Sequence, residues 1–183
     1  LNVTSGRRAF LSTVEAVDAM PALVGGSVFA ENVPEKHALD LKSYANSKGI
    51  FLTGPASVGF LIPGVAKIGA IGGVEHKQLI DAHLFEPGSV AIFSASGGTT
   101  NELINIAVKN GKRISFALHF GGERFPMVTP EEAFIAAEKD SQTKSIVYFG
   151  ELGGIDEYAI CELIQTGKLT KPVFAYVAGT VAE

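Results

Sequence analysis

Residues 90–103 read Val90-Ala91-Ile92-Phe93-Ser94-Ala95-Ser96-Gly97-Gly98-Thr99-Thr100-Asn101-Glu102-Leu103: an apolar run, a turn of small residues with paired glycines, and the start of an amphipathic stretch. The unbroken apolar run fits a strand buried on both faces. The residues after it fit a helix over 99–109. The same pattern recurs downstream. A strand expected at 114–119 precedes a helix expected at 129–139, where Thr129 and Glu132 have capping-box spacing. A strand at 146–149 precedes a helix at 156–163, and a last strand at 173–177 follows Pro172. Strands alternating with helices require a mostly parallel sheet covered on both faces. The fold class is α/β, with two doubly wound lobes expected.

Upstream of residue 90 the signals are shorter. Residues 1–3 close a strand, 8–20 read as a helix, and Gly25-Gly26 introduces a strand at 27–30. Residues 34–48 read as a second helix, with Pro34 in its first turn, Leu39, Leu41 and Tyr44 as its apolar stripe, and Gly49 at its end. A strand at 50–53 follows. The Gly- and Pro-rich stretch 54–64 reads as a loop, and a domain boundary is expected near 62–70, dividing residues 1–66 from 67–183. A helix at 75–84 and a turn at Pro87-Gly88 lead into the strand at 90.

Composition narrows the function classes. The 183 residues are 46% hydrophobic with twelve Phe, enough for a core and against disorder. A formal charge of −4 excludes a strongly basic nucleic-acid footprint. The single cysteine, Cys161, can form neither an internal disulfide nor a multi-Cys zinc site, which fits a reducing, cytoplasmic compartment. Beside Ile160 and Leu163 in an expected helix, Cys161 reads as a buried structural thiol. The most apolar stretch, 49–73, is interrupted by Pro55, Pro63, Lys67 and glycines, so no membrane span is expected. Leu1 rather than a methionine opens the chain, without a basic signal sequence, as expected of a processed or excised piece.

The glycine pairs Gly97-Gly98, Gly121-Gly122 and Gly153-Gly154 each follow an expected strand. In a parallel sheet all three lie at carboxyl ends, where such sheets bind ligands. Glycines let backbone approach a ligand, and the following helix offers unpaired N–H groups to an anion. One pair alone is commonly just a tight turn; three on one edge, with Ser94 and Ser96 as donors, point to an anion site. Glu151 either caps the next helix, or binds Mg²⁺ or orients a reacting histidine. His37 and His76 read as solvated and His83 as surface; His119 reads as a hydrogen-bonded core residue that alternatively faces the site. No zinc spacing, nucleophile elbow, P-loop or dinucleotide fingerprint is present.

Several blocks carry a family resemblance. Gly54-Pro55-Ala56-Ser57-Val58-Gly59, Pro63-Gly64, Lys67-Ile68-Gly69 and Pro87-Gly88-Ser89-Val90 resemble, in order and spacing, the ATP-citrate lyase and succinyl-CoA synthetase alpha-subunit family. So do the runs at 94–103 (SASGGTTNEL), 121–126 (GGERFP), 150–158 (GELGGIDEY) and 169–172 (LTKP), and together the blocks cover essentially the whole chain. Asn101-Glu102-Leu103, Glu157-Tyr158 and the run 167–172 are more similar to the ATP-citrate lyase or citryl-CoA synthetase branch.

The resemblance implies a flavodoxin-like succinyl-CoA synthetase lobe preceded by part of a Rossmann-like CoA-binding lobe. It implies ATP-dependent acyl-CoA formation through a phosphohistidine, with CoA, ATP and Mg²⁺ as cofactors. By motif, Glu151 is the carboxylate that orients that histidine or contacts Mg²⁺. Ser94, Ser96, Gly97 and Gly98 match the phosphate cradle, joined by Gly121 and Gly122; Asn101 matches a substrate position, and Phe29, Ala30 and Glu31 a segment lining the CoA site. The implied partners are a grasp-type ATP-binding region or subunit, which carries most acid-binding residues, and a carboxylic acid, citrate on this branch, within an oligomer.

Two departures stand out. The family's phosphorylated histidine belongs to a Gly-His-Ala-Gly-Ala segment not found in these residues, so the chain is expected to be a fragment, inactive alone. Ala95 stands where the family usually has arginine, which removes a fixed cation beside the phosphate site. The alternatives are a succinyl-CoA synthetase-type ligase and a non-catalytic CoA- or anion-binding module.

Overall fold

The computed structural model describes residues 1–151 and 156–179. Strands β5 (Val90–Ser94), β6 (Ile114–His119), β7 (Ser145–Glu151) and β8 (Val173–Ala178) run parallel in the order β6-β5-β7-β8. The central strand β5 is buried at every position, which is why it is written as an unbroken apolar run. Alternate side chains go to opposite faces. On one face Val90 and Ile92 pack with Ile114, Ala117 and Ile104, the last from α4 (Gly97–Lys109). On the other, Ala91 and Phe93 pack with Phe134 of α5 (Pro130–Lys139) and Ile160 and Leu163 of α6 (Asp156–Gln165). The Phe93 ring lies 5.1 Å from that of Phe116 and 5.3 Å from that of Phe134, tilted as aromatic pairs prefer. The sheet is thus doubly wound, and the expected capping box closes α5 through Thr129 and Glu132.

The stretch 54–64, expected as a loop, holds one strand, and a second follows directly after it. β3 (Gly59–Ile62) and β4 (Ala66–Gly69) form an antiparallel hairpin, and β3 pairs with β6 to extend the sheet to six strands. The division expected between residues 66 and 67 falls inside β4. Gly59, at φ +107°, sits so close to β4 that a Cβ would run into the Ile68 carbonyl, so the residue that reads as a loop signal is required by the pairing.

Ahead of this sheet, β1 (Gly25–Ser27) and β2 (Phe51–Thr53) pair in parallel through the crossover helix α2 (Glu35–Lys48), with Asn2 bridged to Val28 beyond β1. Together with α1 (Gly6–Ala19) they enclose a core of their own, including Ala9, Val28, Leu41 and Leu52, into which Met127 inserts from the β6–α5 connection. The short α3 (His76–Asp81) leads into β5.

Four side chains lie otherwise than expected or on an unforeseen surface. Cys161 is exposed: Ile160 and Leu163 turn to the core, and the residue after Ile160 points about 100° away around the helix. His37, expected in solvent, is half-buried against the Phe10 ring, 5.7 Å away. Among the described residues strand β8 is a sheet edge, with Phe174 and Tyr176 exposed. Among the described residues no helix is long and apolar enough to cross a membrane.

Candidate functional site

A cleft of about 490 Å³ opens at the carboxyl ends of β5, β6 and β7. Glu31, Ser96, Gly97, Gly122 and Glu151, all expected site residues, line it, with Asn32, Ala56, Val58, Ala95, His119 and Glu123. The topology explains the meeting: successive strands of a parallel sheet deliver their exit loops to one edge.

The floor is the turn from β5 into α4. Ser96 caps the helix, its Oγ accepting the Thr99 N–H at 3.5 Å, and its carbonyl accepts the Thr100 N–H at 2.8 Å. That leaves the first-turn N–H groups of Gly97 and Gly98 for an anion, at the positive end of the helix dipole. Gly97 is packed where a Cβ would meet Val58 Cγ1 at 2.7 Å, so only glycine brings the backbone this far in.

One wall is the segment 54–58, which stitches the two parts of the chain together. Ala56 donates its N–H to the Ala30 carbonyl at 2.9 Å and accepts from the Gly122 N–H at 3.4 Å, while Gly54 donates to the Phe120 carbonyl at 3.0 Å. Ser57 is buried, and its hydroxyl donates to the His119 carbonyl at 2.6 Å. Ala56 and Asn32 hold φ of +54° and +56°, a left-handed conformation costly for a residue with a Cβ. The Asn32 N–H donates to Glu123 Oε1 at 2.7 Å, closing the rim.

The cleft is acidic. Glu31, Glu123 and Glu151 line it, and among the described residues no Lys or Arg does. Among the described residues His119 is the one histidine lining it, and burial holds it below the usual histidine range against the opposing pull of the Ala95 carbonyl and Glu151. An anion bound here therefore meets backbone N–H groups first and needs further positive charge from a metal ion or another segment.

The other expected residues are placed elsewhere. Ser94 is fully buried, and its hydroxyl accepts the Ser96 N–H at 2.9 Å and donates to the Ser96 carbonyl, so it shapes the turn rather than serving as a donor to ligand. Gly98 is exposed beside the lining, and Gly121 is buried behind it against Pro55. Asn101 turns from the cleft: its Oδ1 accepts the Gly72 N–H at 2.7 Å. Of the run 29–31 only Glu31 lines the cleft, while Ala30 is buried and Phe29 sits at the surface. Gly153 and Gly154 lie outside the described residues. Sequence reasoning gave no role to Glu123, Asn32 or Ala56; their only signal is that Ala56 and Glu123 fall inside the recognised blocks.

Residues 93–183 match the family model described as CoA-ligase. A Caenorhabditis elegans protein named "Probable ATP-citrate synthase" is 38% identical over 179 residues, 98% of this chain and 16% of that protein. The "Probable ATP-citrate synthase subunit 1" of Schizosaccharomyces pombe is 36% identical over 183 residues, 100% of this chain and 29% of its own length. Among solved structures, the ATP citrate lyase of Methanothrix soehngenii, in complex with citrate and coenzyme A, superposes with a TM-score of 0.88 at 35% identity, covering 98% of this chain and 29% of that one. The chain therefore spans less than a third of the length of these relatives. With a matching α/β fold and similarity to ATP-citrate synthases along the whole of these 183 residues, the chain belongs to the ATP-citrate lyase and succinyl-CoA synthetase family of CoA ligases.

Proposed function

We propose that this chain is the CoA-ligase part of an ATP-dependent citrate-cleaving enzyme, which converts citrate, CoA and ATP to citryl-CoA and then to acetyl-CoA and oxaloacetate. The observation that carries this reading is the meeting, in one cleft, of the α4 N-terminus and the Glu151 carboxylate. In this role the N–H groups of Gly97 and Gly98 hold phosphoryl oxygens, with the Gly122 backbone alongside, and the developing charge is met without reorganisation. Glu151 orients the imidazole of a reacting histidine or takes one position on Mg²⁺. That histidine comes from another segment or chain: both ring nitrogens of His119, the one histidine on the cleft, are bonded to backbone.

Among the described residues no three ligating side chains gather around one point, and Glu151 is exposed. This suits Mg²⁺, which keeps waters and is bound by one or two carboxylates with substrate phosphates, supplying positive charge to the phosphate. In this reading CoA lies on the side of Glu31, which lines the cleft, and of Phe29, which is exposed. The residues ahead of β3 form the CoA-binding lobe and the six-stranded sheet the ligase lobe. A grasp-type ATP-binding subunit or region supplies the missing cations and most of the citrate site, in keeping with the name "subunit 1" of the Schizosaccharomyces pombe relative. A reducing, cytoplasmic setting belongs to the same reading.

Calorimetric and NMR titrations with inorganic phosphate, citrate, succinate and CoA, each with and without Mg²⁺, test it. Expected are phosphate-dependent shifts of the Gly97 and Gly98 amides, a Mg²⁺-dependent gain lost in Glu151→Gln, and CoA binding. A chain that binds neither phosphate nor CoA overturns the reading, and preference for succinate moves it to a succinyl-CoA synthetase-type ligase. One observation favours a second reading, a non-catalytic anion- or acyl-CoA-binding module: Ala95 leaves the cleft without the family's cation. Citrate-dependent CoA consumption on adding a grasp-type partner separates the two.

A further inference from the structure

His119 has no part in the chemistry above, yet its ring joins two walls of the cleft. It is 3% exposed at the end of β6. Nδ1 accepts the Val58 N–H at 2.9 Å and so carries no proton. The neutral ring then holds its proton on Nε2, which donates to the Ala95 carbonyl at 3.0 Å. Ala95 belongs to the turn between β5 and α4, and Val58 to the segment leading into β3. Between them, Cε1 lies 3.4 Å from the point where a Cβ on Gly97 would stand.

We infer that His119 is a positioning residue for the anion-binding turn: the Val58–His119–Ala95 bridge fixes the Ala95 carbonyl and thereby the direction of the Gly97 and Gly98 N–H groups. The inference rests on the reading of that turn as anion-binding. A backbone donor on one side and a backbone acceptor on the other require one side chain that accepts at one end and donates at the other. Neutral imidazole does this across a rigid ring; a carboxylate lacks the donor, an ammonium lacks the acceptor, and an amide carries both on a single carbon. The turn has few other holds. Residue 95 has no side chain beyond Cβ and is fastened by its carbonyl, bonded to His119 at 3.0 Å, and by a longer N–H bond to the Phe149 carbonyl at 3.4 Å. The Ser94 carbonyl accepts the Phe120 N–H at 3.1 Å, and the Ser94 and Ser96 side chains bond only within the turn and the helix start. A turn rich in glycine and serine leaves much backbone freedom to be removed before an anion meets aligned donors.

The test compares the whole chain with His119→Asn, His119→Gln and His119→Phe, reading amide exchange at residues 95–99 and affinity for inorganic phosphate. Asn keeps an acceptor near Nδ1 but cannot reach Ala95, Gln places an amide near Nε2, and Phe keeps the ring and loses both bonds. Expected are faster exchange at 95–99 in the Asn and Phe variants, partial recovery in Gln, and unchanged exchange in α5. Phosphate affinity falls about five- to tenfold in the Phe variant, the worth of one lost backbone anchor. In the unmodified chain, ring ¹⁵N shifts report a proton on Nε2 alone. Exchange at 95–99 and phosphate affinity unchanged in both Asn and Phe overturn the inference, as does a proton on Nδ1. If the turn loosens as expected but the unmodified chain binds no phosphate, the positioning role stands and the anion reading fails.

Discussion

The Tyr148 hydroxyl donates to Glu157 Oε1 at 2.9 Å, tying β7 to the first turn of α6 beside the Glu151 end of the sheet. Tyr148 is buried, and burial, then the Glu157 carboxylate, push its phenol far above the usual tyrosine range. Tyr148→Phe leaves a partly buried carboxylate without its donor and is expected to cost about 1–3 kcal/mol, read by urea denaturation. Gly150→Ala reaches the same pair from the other side, because its Cβ would land on the Glu157 carboxylate and 2.9 Å from the Tyr148 ring. The two substitutions break one contact, so their combined cost falls short of their sum; strict additivity would show the pair uncoupled.

Gly121 holds φ +120°, and a Cβ there would run into the Pro55 carbonyl, a backbone atom with little room to yield. Gly121→Ala is expected to lower stability by about 2–4 kcal/mol, since left-handed strain adds to the collision. Gly122→Ala, with nothing within 4 Å of its Cβ, is the control and should stay within about 0.5 kcal/mol. Equal thermal melts for the two variants would contradict this packing.

Stability should also follow His119. The groups around it are the carboxylates Glu151 on β7, Glu123 after β6 and Glu31 after β1, with no Lys or Arg lining the cleft among the described residues. Burial outweighs the pull of the Ala95 carbonyl and of Glu151 and lowers the folded value below the ordinary 6.5. Between the two values the unfolded chain binds the proton and the folded chain does not, so stability rises with pH there. This contribution is complete above about pH 6.5, is lost as pH falls toward the folded value, and is constant below it. Denaturation midpoints from pH 5 to 8 should show this slope, and His119→Gln should flatten it.

These cases show where the sequence was readable. The strands expected at 90–93 and 146–149 are read correctly because no polar residue breaks either run; the first is buried on both faces, the second buried on one and half-buried on the other. The hairpin of β3 and β4 is hidden by its own chemistry: four-residue strands with Gly59, Pro63, Gly64 and Gly69 look like a loop until pairing is seen. At the candidate site, the two described glycine pairs lie at the carboxyl edge of the sheet, and Ser96, Gly97, Gly122 and Glu151 meet in one cleft there. The direction of single side chains was not readable. Ser94 lies one strand position from the cleft but faces inward, and Asn101 lies on the first turns of α4 yet holds the chain at Gly72. Periodicity fixes which face a residue takes, not which neighbouring backbone group claims its polar atom.

Strand β8 should govern self-association. Its run VFAYVA carries no charge, stands at the sheet edge, and leaves Phe174 and Tyr176 exposed at 64% and 68%. Unpaired edge N–H and C=O groups beside exposed aromatics are a template for pairing with another strand. Phe174→Lys is expected to shift light scattering at high protein concentration toward the monomer and to change the unfolding midpoint little, because the side chain is largely in water. Unchanged association would assign it to another surface.

The acidic lining makes residue 95 the place to add charge. Ala95 lines the cleft beside Ser96 and Gly97, among carboxylates from Glu31, Glu123 and Glu151. A guanidinium there can bind phosphate or pair with one of the carboxylates. Phosphate held on the α4 N–H groups competes well because it offers more acceptors and higher charge than one carboxylate. Ala95→Arg should therefore raise affinity for inorganic phosphate about five- to tenfold at low ionic strength, with the gain shrinking as salt screens the charge. Combining it with His119→Phe separates charge from positioning: if the turn must be held first, the arginine recovers only part of the affinity that the Phe variant loses. Full recovery would mean that charge alone sets phosphate affinity and that the Val58–His119–Ala95 bridge is dispensable for binding.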